Sequence, residues 1–235
     1  MPATADAPKC LAEVGGRPIL DWILDALAEN GIGRICFIGG YRIDRVRAAY
    51  PRLHYYRNAG WRSNNILASL MSAEAEMDEP FLCCYSDILF TPQVIRNLLA
   101  SRAAISLVVD TDWAARYRRR SDHPPDDAEK VTARSGRITR IHRDIQPARA
   151  HGEFAGIAKF SRAGARLLLA HYHRCRRLHA GRPFREASSF EKAYLIHLFQ
   201  EMIEKRARLV HVDTRGGYME IDTQQDFDLA RRFWR

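Results

Sequence analysis

The stretch Thr4-Ala5-Asp6-Ala7-Pro8-Lys9-Cys10-Leu11-Ala12-Glu13-Val14-Gly15-Gly16-Arg17-Pro18-Ile19-Leu20 lies at the start of the sequence and decides the fold. Its Pro-Lys segment leads into Pro18, after which apolar residues recur at helical spacing over residues 19–30. Gly31 ends that helix, and the short apolar run at 34–40 is typical of a buried parallel strand. A loop, a helix and a strand thus follow in the order that α/β proteins use.

The alternation of helix and strand continues and then breaks. Helices are predicted at 43–49, 65–77 and 93–100, and strands at 53–56, 81–85 and 105–109. Later elements are a hairpin at 130–141, strands at 153–160 and 209–212, and helices at 163–178, 191–205 and 224–234. We therefore expect an α/β fold with three α/β/α layers, whose mostly parallel, Rossmann-like sheet carries a small antiparallel addition. No repeat or linker is evident, so residues 1–235 are predicted to form a single domain.

The composition describes a globular chain. Of its 235 residues 46% are hydrophobic and 28% are charged, which excludes a disordered protein. No apolar run approaches the roughly 20 residues that span a bilayer, and no signal-peptide pattern is present. The five cysteines lack the spacing of a zinc or redox site. We expect a cytoplasmic protein with free thiols and no membrane insertion.

The formal charge of +9 raises the question of nucleic-acid binding. The arginines gather in Arg116-Tyr117-Arg118-Arg119-Arg120, at 174–177 and near the C-terminus, a distribution that a solvated helix face explains. Attraction of small phosphate-bearing substrates is the second interpretation. Because no aromatic-basic platform or recognition helix is evident, no nucleic-acid partner is expected.

Three carboxylates are candidate metal ligands. Asp87 directly follows an apolar strand, and beyond the carboxyl ends of strands is where open α/β sheets bind ligands. Glu220-Ile221-Asp222 directs two more carboxylates to one face if the segment is extended. Each alone also fits a turn or a helix cap, with Asp222 capping the helix that follows. One magnesium site would explain all three together.

The other candidates are weaker. Lys9 precedes a helix and suits a phosphate oxygen, although surface lysines are common. The amides of Asn58 and Trp61-Arg62-Ser63-Asn64-Asn65 are suited to read a base edge, or Asn64 is an N-cap. Trp113, Tyr194 and Tyr218 form either an aromatic wall around a quaternary ammonium group or part of the core.

With these residues in view, the chain resembles the phosphocholine and 2-aminoethylphosphonate cytidylyltransferases of the sugar-nucleotidyltransferase (MobA-like) superfamily. The matching stretches run in order over nearly the whole sequence. They are Asp6-x-Pro8-Lys9-Cys10-Leu11 with Gly16-Arg17-Pro18-Ile19-Leu20, Gly39-Gly40-Tyr41, Asn58 with Trp61-x-x-Asn64-Asn65-Ile66-x-x-Ser69-Leu70, Ser86-Asp87-Ile88-Leu89-Phe90, Val109-Asp110-x-Asp112-Trp113, Ala128-Glu129-Lys130-Val131, Glu153-Phe154-x-Gly156-Ile157 and Gly217-Tyr218-x-Glu220-Ile221-Asp222-Thr223-x-x-Asp226.

The resemblance implies a GT-A-type fold and a set of roles. Asp87, Glu220 and Asp222 would hold magnesium, and Lys9 and Asp87 would be the catalytic residues, Lys9 contacting phosphate. The nucleotide- and substrate-binding residues would be Asn64, Asn65, Trp113, Lys130 and Tyr218, with Trp113 and Tyr218 facing a cationic acceptor. The implied reaction is direct attack of a phosphate or phosphonate monoester on CTP, giving a CMP adduct and pyrophosphate.

Two departures from the family stand out. The family's first strand and Gly-rich loop, which bind the triphosphate, have no counterpart before Pro8, so the domain is expected to be N-terminally truncated relative to the family. Loss of a central strand would expose sheet edges and apolar surface. A start placed too far downstream is the favoured explanation, and loss of activity is the other. Lys192 would also oppose a choline-like cation.

We therefore predict a magnesium-dependent nucleotidyltransferase, a cytidylyltransferase acting on a small phosphate or phosphonate monoester that resembles phosphocholine or aminoethylphosphonate. One alternative is a sugar-1-phosphate nucleotidyltransferase that uses another nucleoside triphosphate. Another is a catalytically impaired nucleotide-binding relative that lacks the triphosphate loop. The acceptor, the base preference and the oligomeric state stay open, with a homodimer among the options.

Overall fold

The computed structural model describes residues 6–122 and 124–234. Its helices are α1 (Ile19–Ala28), α2 (Ile43–Ala49), α3 (Ile66–Met71), α4 (Pro92–Ala100), α5 (Trp113–Tyr117), α6 (Arg162–His179), α7 (Leu195–Glu204) and α8 (Gln224–Phe233). Its strands are β1 (Glu13–Val14), β2 (Arg17–Pro18), β3 (Cys36–Gly39), β4 (His54–Arg57), β5 (Phe81–Cys84), β6 (Ile88–Phe90), β7 (Ile105–Asp110), β8 (Lys130–Arg134), β9 (Arg137–Ile141), β10 (Gly152–Phe160), β11 (Val210–Thr214) and β12 (Tyr218–Glu220). None of the helices in these two ranges is long and apolar enough to cross a membrane. The five cysteines are free thiols.

Local sequence signals set most element boundaries. Pro92 is the first residue of α4, and Thr223 caps α8 by accepting a hydrogen bond from the Asp226 amide. Ser135 and Gly136 have φ angles of 50° and 73°, which lets the chain reverse tightly between β8 and β9. The predicted helix at 65–77 is shorter than expected: α3 ends at Met71 and a separate 3₁₀ turn follows.

The sheet confirms the α/β class but corrects its topology. Six strands lie in the order β5-β10-β7-β11-β9-β8. Only β7 and β11 pair in parallel among these six neighbours, because β10 runs antiparallel between β5 and β7. The prediction of a mostly parallel sheet is therefore wrong for this part of the chain. All but one residue of β10 are buried, so its apolar run looks the same for either strand direction.

Two apolar cores lie on the two faces of this sheet, as side-chain alternation along its strands requires. On β7, Leu107 and Val109 pack into a core that includes residues of α6 and α7. Val108, between them, packs into the other core, which includes residues of α1, α4 and α8. The sheet is therefore covered on both sides, and the carboxyl end of β5 emerges between the two layers.

An apolar cavity of about 750 Å³ separates β3 from β5. The strands β3 and β4 form a parallel pair outside the six-stranded sheet, in which β5 lies at the edge. Residues from β3, β5, α1 and α3 line the space, among them Phe37, Ile38, Leu82, Leu24 and Leu70. In the described residues, the edges of β3 and β5 that border this cavity have no strand partner.

Candidate active site

Pairing of β6 with β12 brings the predicted carboxylates together. These two short strands are antiparallel, with Glu220 opposite Ile88. The pairing extends by one step beyond the strands, where the Ile221 amide donates to the Asp87 carbonyl at 3.0 Å. Asp87 therefore lies across from the segment that carries Glu220 and Asp222. Residues more than 130 positions apart in the sequence thus meet beyond the carboxyl end of β5.

Lys9 bridges two of these carboxylates. Its Nζ donates to Asp87 Oδ2 at 3.2 Å and to Asp222 Oδ1 at 2.7 Å. The 3₁₀ turn Lys9–Leu11 holds the lysine just ahead of β1. About a third of each of the three side chains is exposed, so the group opens to solvent. The prediction that Lys9, Asp87 and Asp222 share one site stays a prediction about function, but the structure brings them into direct contact.

Negative charge dominates the electrostatics of this cluster. Burial raises the pKa of Asp87, with a further increase from Asp222, although the Lys9 ammonium acts in the opposite direction. Burial also raises the pKa of Glu220 well above its usual range, and the nearby carboxylates of Asp222 and Glu153 raise it further. Burial lowers the pKa of Lys9, but Asp87 and Asp222 outweigh it, so the net shift is upward. The site therefore favours binding of an additional cation.

A buried ion pair holds the backbone behind Asp222. Arg120 donates from Nε to Asp226 Oδ1 at 2.5 Å and from Nη2 to Oδ2 at 2.8 Å. Asp226 Oδ2 also accepts from the amides of Asp222 and Thr223, at 3.1 and 2.9 Å. Arg120 Nη1 lies 3.6 Å from Glu220 Oε2. This arginine and this aspartate, each almost fully buried, fix the segment that presents Glu220 and Asp222.

The arginine-rich run at 116–120 is only partly the solvated helix face that we predicted. Arg118 and Arg119 are exposed, but Arg120 is buried and Arg116 is mostly buried. Arg116 forms ion pairs with Asp110 and Glu153, and the Tyr117 hydroxyl donates to Glu153 at 2.8 Å. The prediction is wrong for Arg116 and Arg120, because both side chains pair with buried carboxylates.

Asn64 and Asn65 have local partners. The side-chain amides of Asn58 and Asn64 donate to each other's oxygens, both at 2.8 Å, and Asn58 also donates to Ser69 Oγ at 2.7 Å. Asn65, not Asn64, caps α3, since its Oδ1 accepts from the Ile66 amide at 2.8 Å. Of the two alternatives for Asn64, the N-cap is therefore wrong. A role in nucleotide binding stays a prediction for both residues.

The three aromatic residues proposed as a wall each carry a cation of the protein itself on their rings. Arg143 lies 4.4 Å from the ring centre of Tyr194, and Arg116 lies 4.7 Å from that of Tyr218. Lys130 Nζ lies 5.9 Å from the ring centre of Trp113. Trp113 and Tyr218 are also buried. A wall around a quaternary ammonium group stays a prediction for the three residues.

The Lys130 side chain is almost fully buried, and its ammonium group is bound by backbone carbonyls. Its Nζ donates to the carbonyls of Pro125 at 3.0 Å and Ala128 at 3.4 Å. Burial lowers the pKa of this lysine. The contacts support a structural role in closing the turn at 125–128, while its predicted role in substrate binding is untested.

Two residues of the site were not identified as functional from the sequence. Asp226 stands in a matched stretch, and its spacing from Thr223 is that of a capping box, which was a usable signal. Arg120 gave no such signal, because its partner Asp226 lies 106 positions away in the sequence.

The sequence of the chain matches a known family and several characterised proteins. The family model described as "MobA-like NTP transferase domain" matches residues 4–180. The chain is 26% identical over 239 residues to a CTP:phosphoglutamine cytidylyltransferase of Campylobacter jejuni subsp. jejuni serotype O:2, covering 97% of this chain and 93% of that protein. It is 32% identical over 128 residues to a UTP–glucose-1-phosphate uridylyltransferase of Haloferax volcanii, covering 49% of this chain and 52% of that one.

Solved structures with low sequence identity share the fold. An inositol-1-phosphate CTP transferase from T. maritima superposes with a TM-score of 0.70 at 20% identity, covering 97% of this chain and 88% of that one. A CTP:phosphocholine cytidylyltransferase from Streptococcus pneumoniae gives a TM-score of 0.70 at 15% identity, covering 100% of this chain and 92% of that one. At such identities the likeness extends to the fold alone.

Proposed function

This chain belongs to the family of MobA-like NTP transferase domains, and from that premise we propose that it is a magnesium-dependent cytidylyltransferase. It transfers CMP from CTP to a small phosphate or phosphonate monoester and releases pyrophosphate. The observation that carries the proposal is the contact of Lys9 with both Asp87 and Asp222, beside Glu220. The Campylobacter relative, which is similar over nearly its whole length, supports CTP as the nucleotide.

The carboxylates are suited to a divalent cation. One positive group, the Lys9 ammonium, already lies within hydrogen-bonding distance of Asp87 and Asp222. The pKa of Glu220 is raised first by burial and then by the negative charge of Asp222 and Glu153, which a bound cation would balance. Magnesium typically binds one or two carboxylates and completes its shell with phosphate oxygens and water. Asp87, Asp222 and Glu220 would hold it, and it would draw charge from the phosphates of CTP.

The residues of the chain then have distinct tasks. Arg120 and Asp226 keep the Asp222 backbone in place, so the carboxylates are held before substrate arrives. Lys9, on a flexible stem, would bind a phosphate oxygen with its ammonium group when CTP is present. An acceptor oxygen attacks the α-phosphorus, a new P–O bond forms, and the bond to the β-phosphate breaks as pyrophosphate leaves.

The acceptor lacks a quaternary ammonium group. A choline-like head would need an open aromatic face, and Tyr194, Tyr218 and Trp113 each already face a positive side chain of the protein. These ring faces are therefore already occupied by side chains of the protein. We therefore favour a phosphorylated or phosphonate acceptor whose other end offers neutral or negative hydrogen-bonding groups.

A panel assay tests the proposal. The full chain is incubated with magnesium, each of the four ribonucleoside triphosphates, and one acceptor from phosphoglutamine, phosphocholine, aminoethylphosphonate, inositol 1-phosphate and glucose 1-phosphate. Pyrophosphate release and the mass of the nucleotidyl adduct are measured. We expect an adduct with CTP and little or none with phosphocholine. The absence of any adduct, together with CTP binding, would instead support the impaired nucleotide-binding relative.

Sugar-1-phosphate nucleotidyl transfer is the second candidate. The identity of 32% to the Haloferax uridylyltransferase favours it, although the match covers about half of each chain. Turnover of UTP with glucose 1-phosphate, exceeding that of CTP with every other acceptor, would replace the first proposal by this one.

A further inference from the structure

Three side chains outside the carboxylate cluster meet beside β11. His151 precedes β10, whereas His211 and Asp213 lie two residues apart on β11 and so share one face of the sheet. His151 Nε2 lies 2.9 and 3.1 Å from the two carboxylate oxygens of Asp213. His211 Nδ1 lies 2.7 Å from Asp213 Oδ1. The two imidazole rings are 4.3 Å apart between centroids.

The donor atoms have the spacing of a small metal site. One ligand atom from each side chain lies within 4.8 Å of the other two. A tetrahedral zinc ion with bonds of about 2.1 Å holds its ligand atoms roughly 3.4 Å apart. The three atoms therefore lie near the separation that a zinc ion imposes on its ligands.

The chemistry of the three groups selects the class of ion. Two imidazoles and a carboxylate suit zinc and similar divalent transition metals, whereas magnesium prefers oxygen ligands alone. A neutral imidazole offers a lone pair at one ring nitrogen when its proton is on the other, so both histidines can bind a metal without loss of a proton. The side chains of His151, His211 and Asp213 are 32%, 15% and 41% exposed, which leaves a further coordination position for water.

We propose that His151, His211 and Asp213 form a zinc-binding site that is separate from the carboxylates of the candidate active site. The site joins two parts of the sheet. The His151 amide donates to the Val131 carbonyl of β8 at 2.8 Å, so a bound ion would link the beginning of β10 and the β8–β9 hairpin to β11. Binding to the folded state alone would stabilise that arrangement. The proposal does not depend on nucleotidyl transfer.

Zinc titration of the full chain, first stripped with a chelator and kept in excess magnesium, tests the site. We expect one zinc ion per chain by calorimetry, and Co²⁺ in its place should give the visible absorption of a four-coordinate ion. His211→Gln and Asp213→Asn should each weaken zinc binding at least tenfold, which corresponds to about 1.4 kcal/mol. His173→Gln is the matched control, since His173 contacts Glu74 at 2.7 Å and belongs to no group of three ligands within residues 6–122 and 124–234. The zinc affinity of this variant should equal that of the wild type.

Two further variants distinguish zinc binding at this site from misfolding and from binding at the candidate active site. His151→Gln changes a residue ahead of β10, so it tests the site even where a substitution on β11 impairs folding. Asp87→Asn removes a carboxylate of the candidate active site and should leave zinc affinity and the cobalt spectrum unchanged. Zinc affinity that is lost in Asp87→Asn but kept in His151→Gln would overturn the proposal, and so would the absence of zinc binding by the wild-type chain.

Discussion

At the scale of single residues, the candidate site depends on charge balance around Lys9. The lysine donates to two carboxylates from separate segments of the chain, while Glu220 beside them lies 3.6 Å from Arg120. The sequence predicted which carboxylates would meet, because each follows or occupies an extended segment. It did not predict that Lys9 would contact both aspartates, since side-chain geometry depends on three separate segments.

Substitution of Lys9 tests this balance. Lys9→Met keeps the length of the side chain but leaves Asp87 and Asp222 without their positive partner, so the pKa of Asp87 should rise further. Under the proposed function kcat/KM for CTP should fall by roughly 10²- to 10³-fold, as when one donor to a transition-state oxygen is removed. Lys205→Met, at an exposed position after α7, is the control and should retain activity. Equal kinetics of the two variants would show that Lys9 takes no part.

The pKa of Glu129 leads to a prediction about how the stability of the fold depends on pH. Burial raises its pKa to about 7, against the opposing effect of Arg143 at 3.4 Å. The folded chain therefore binds this proton more tightly than the unfolded chain, whose glutamate pKa is about 4.3. The stability that this proton contributes is complete below the unfolded pKa and is lost as pH rises through about 7.

Glu129→Gln removes the titrating group. Relative to the wild type, its free energy of unfolding should therefore increase by about 3 kcal/mol between pH 4 and pH 8. Urea unfolding at several pH values measures the difference, with the exposed Glu29→Gln as the control that should track the wild type. A constant difference between Glu129→Gln and wild type across this range would contradict the raised pKa.

At the scale of elements, short pieces of structure position the site. The strands β6 and β12 have three residues each, yet their pairing aligns Asp87 with Glu220 and Asp222. Helix α8 begins directly afterwards, and its capping residues hold the Asp222 amide through Asp226. The helix was predictable from the sequence, but the prediction that Asp222 caps it is wrong, because Thr223 is the residue that caps α8. The pairing of two such short strands was not predictable, because three residues carry too little periodicity.

Arg120 links α5 to this region and offers a stability test. Arg120→Met should lower the free energy of unfolding by roughly 3–5 kcal/mol, because the buried Asp226 carboxylate loses its bidentate partner. Adding Asp226→Asn removes the unbalanced charge and should recover part of the loss. Arg118→Met, two positions away and exposed, should change stability by no more than about 0.5 kcal/mol. Equal effects at positions 118 and 120 would contradict the buried ion pair.

At the scale of the whole molecule, the sequence predicted the elements better than their arrangement. Most helices and strands lie where the spacing of apolar residues predicted them. A helix or strand that is buried on one or both sides leaves this spacing in its own sequence. The insertion of β10 antiparallel between β5 and β7 leaves no such pattern, because a strand buried on both faces is apolar in either direction. The cavity between β3 and β5 is likewise a property of the assembled sheet.

The cavity between β3 and β5 leads to a prediction about how larger side chains change stability. Ala73 is buried and lines it, so Ala73→Leu should fill part of the space and raise the free energy of unfolding by about 1–2 kcal/mol. Ala193 is also buried but lies in the core away from the cavity, and Ala193→Leu should lower the same quantity by about 1–3 kcal/mol through overpacking. Denaturant unfolding compares them. A loss of stability in both variants would show that the space does not accept side chains.

The central claim, that Asp87 helps to hold the magnesium and the nucleotide, is tested most directly by CTP binding with and without magnesium. Calorimetry on the full chain needs no knowledge of the acceptor. The matched control is Asp44→Asn, which changes an exposed aspartate 3.8 Å from Arg57. We predict that magnesium tightens CTP binding in the wild type and in Asp44→Asn, and that Asp87→Asn loses this dependence. Equal magnesium-dependent affinity in Asp87→Asn and the wild type would contradict the account.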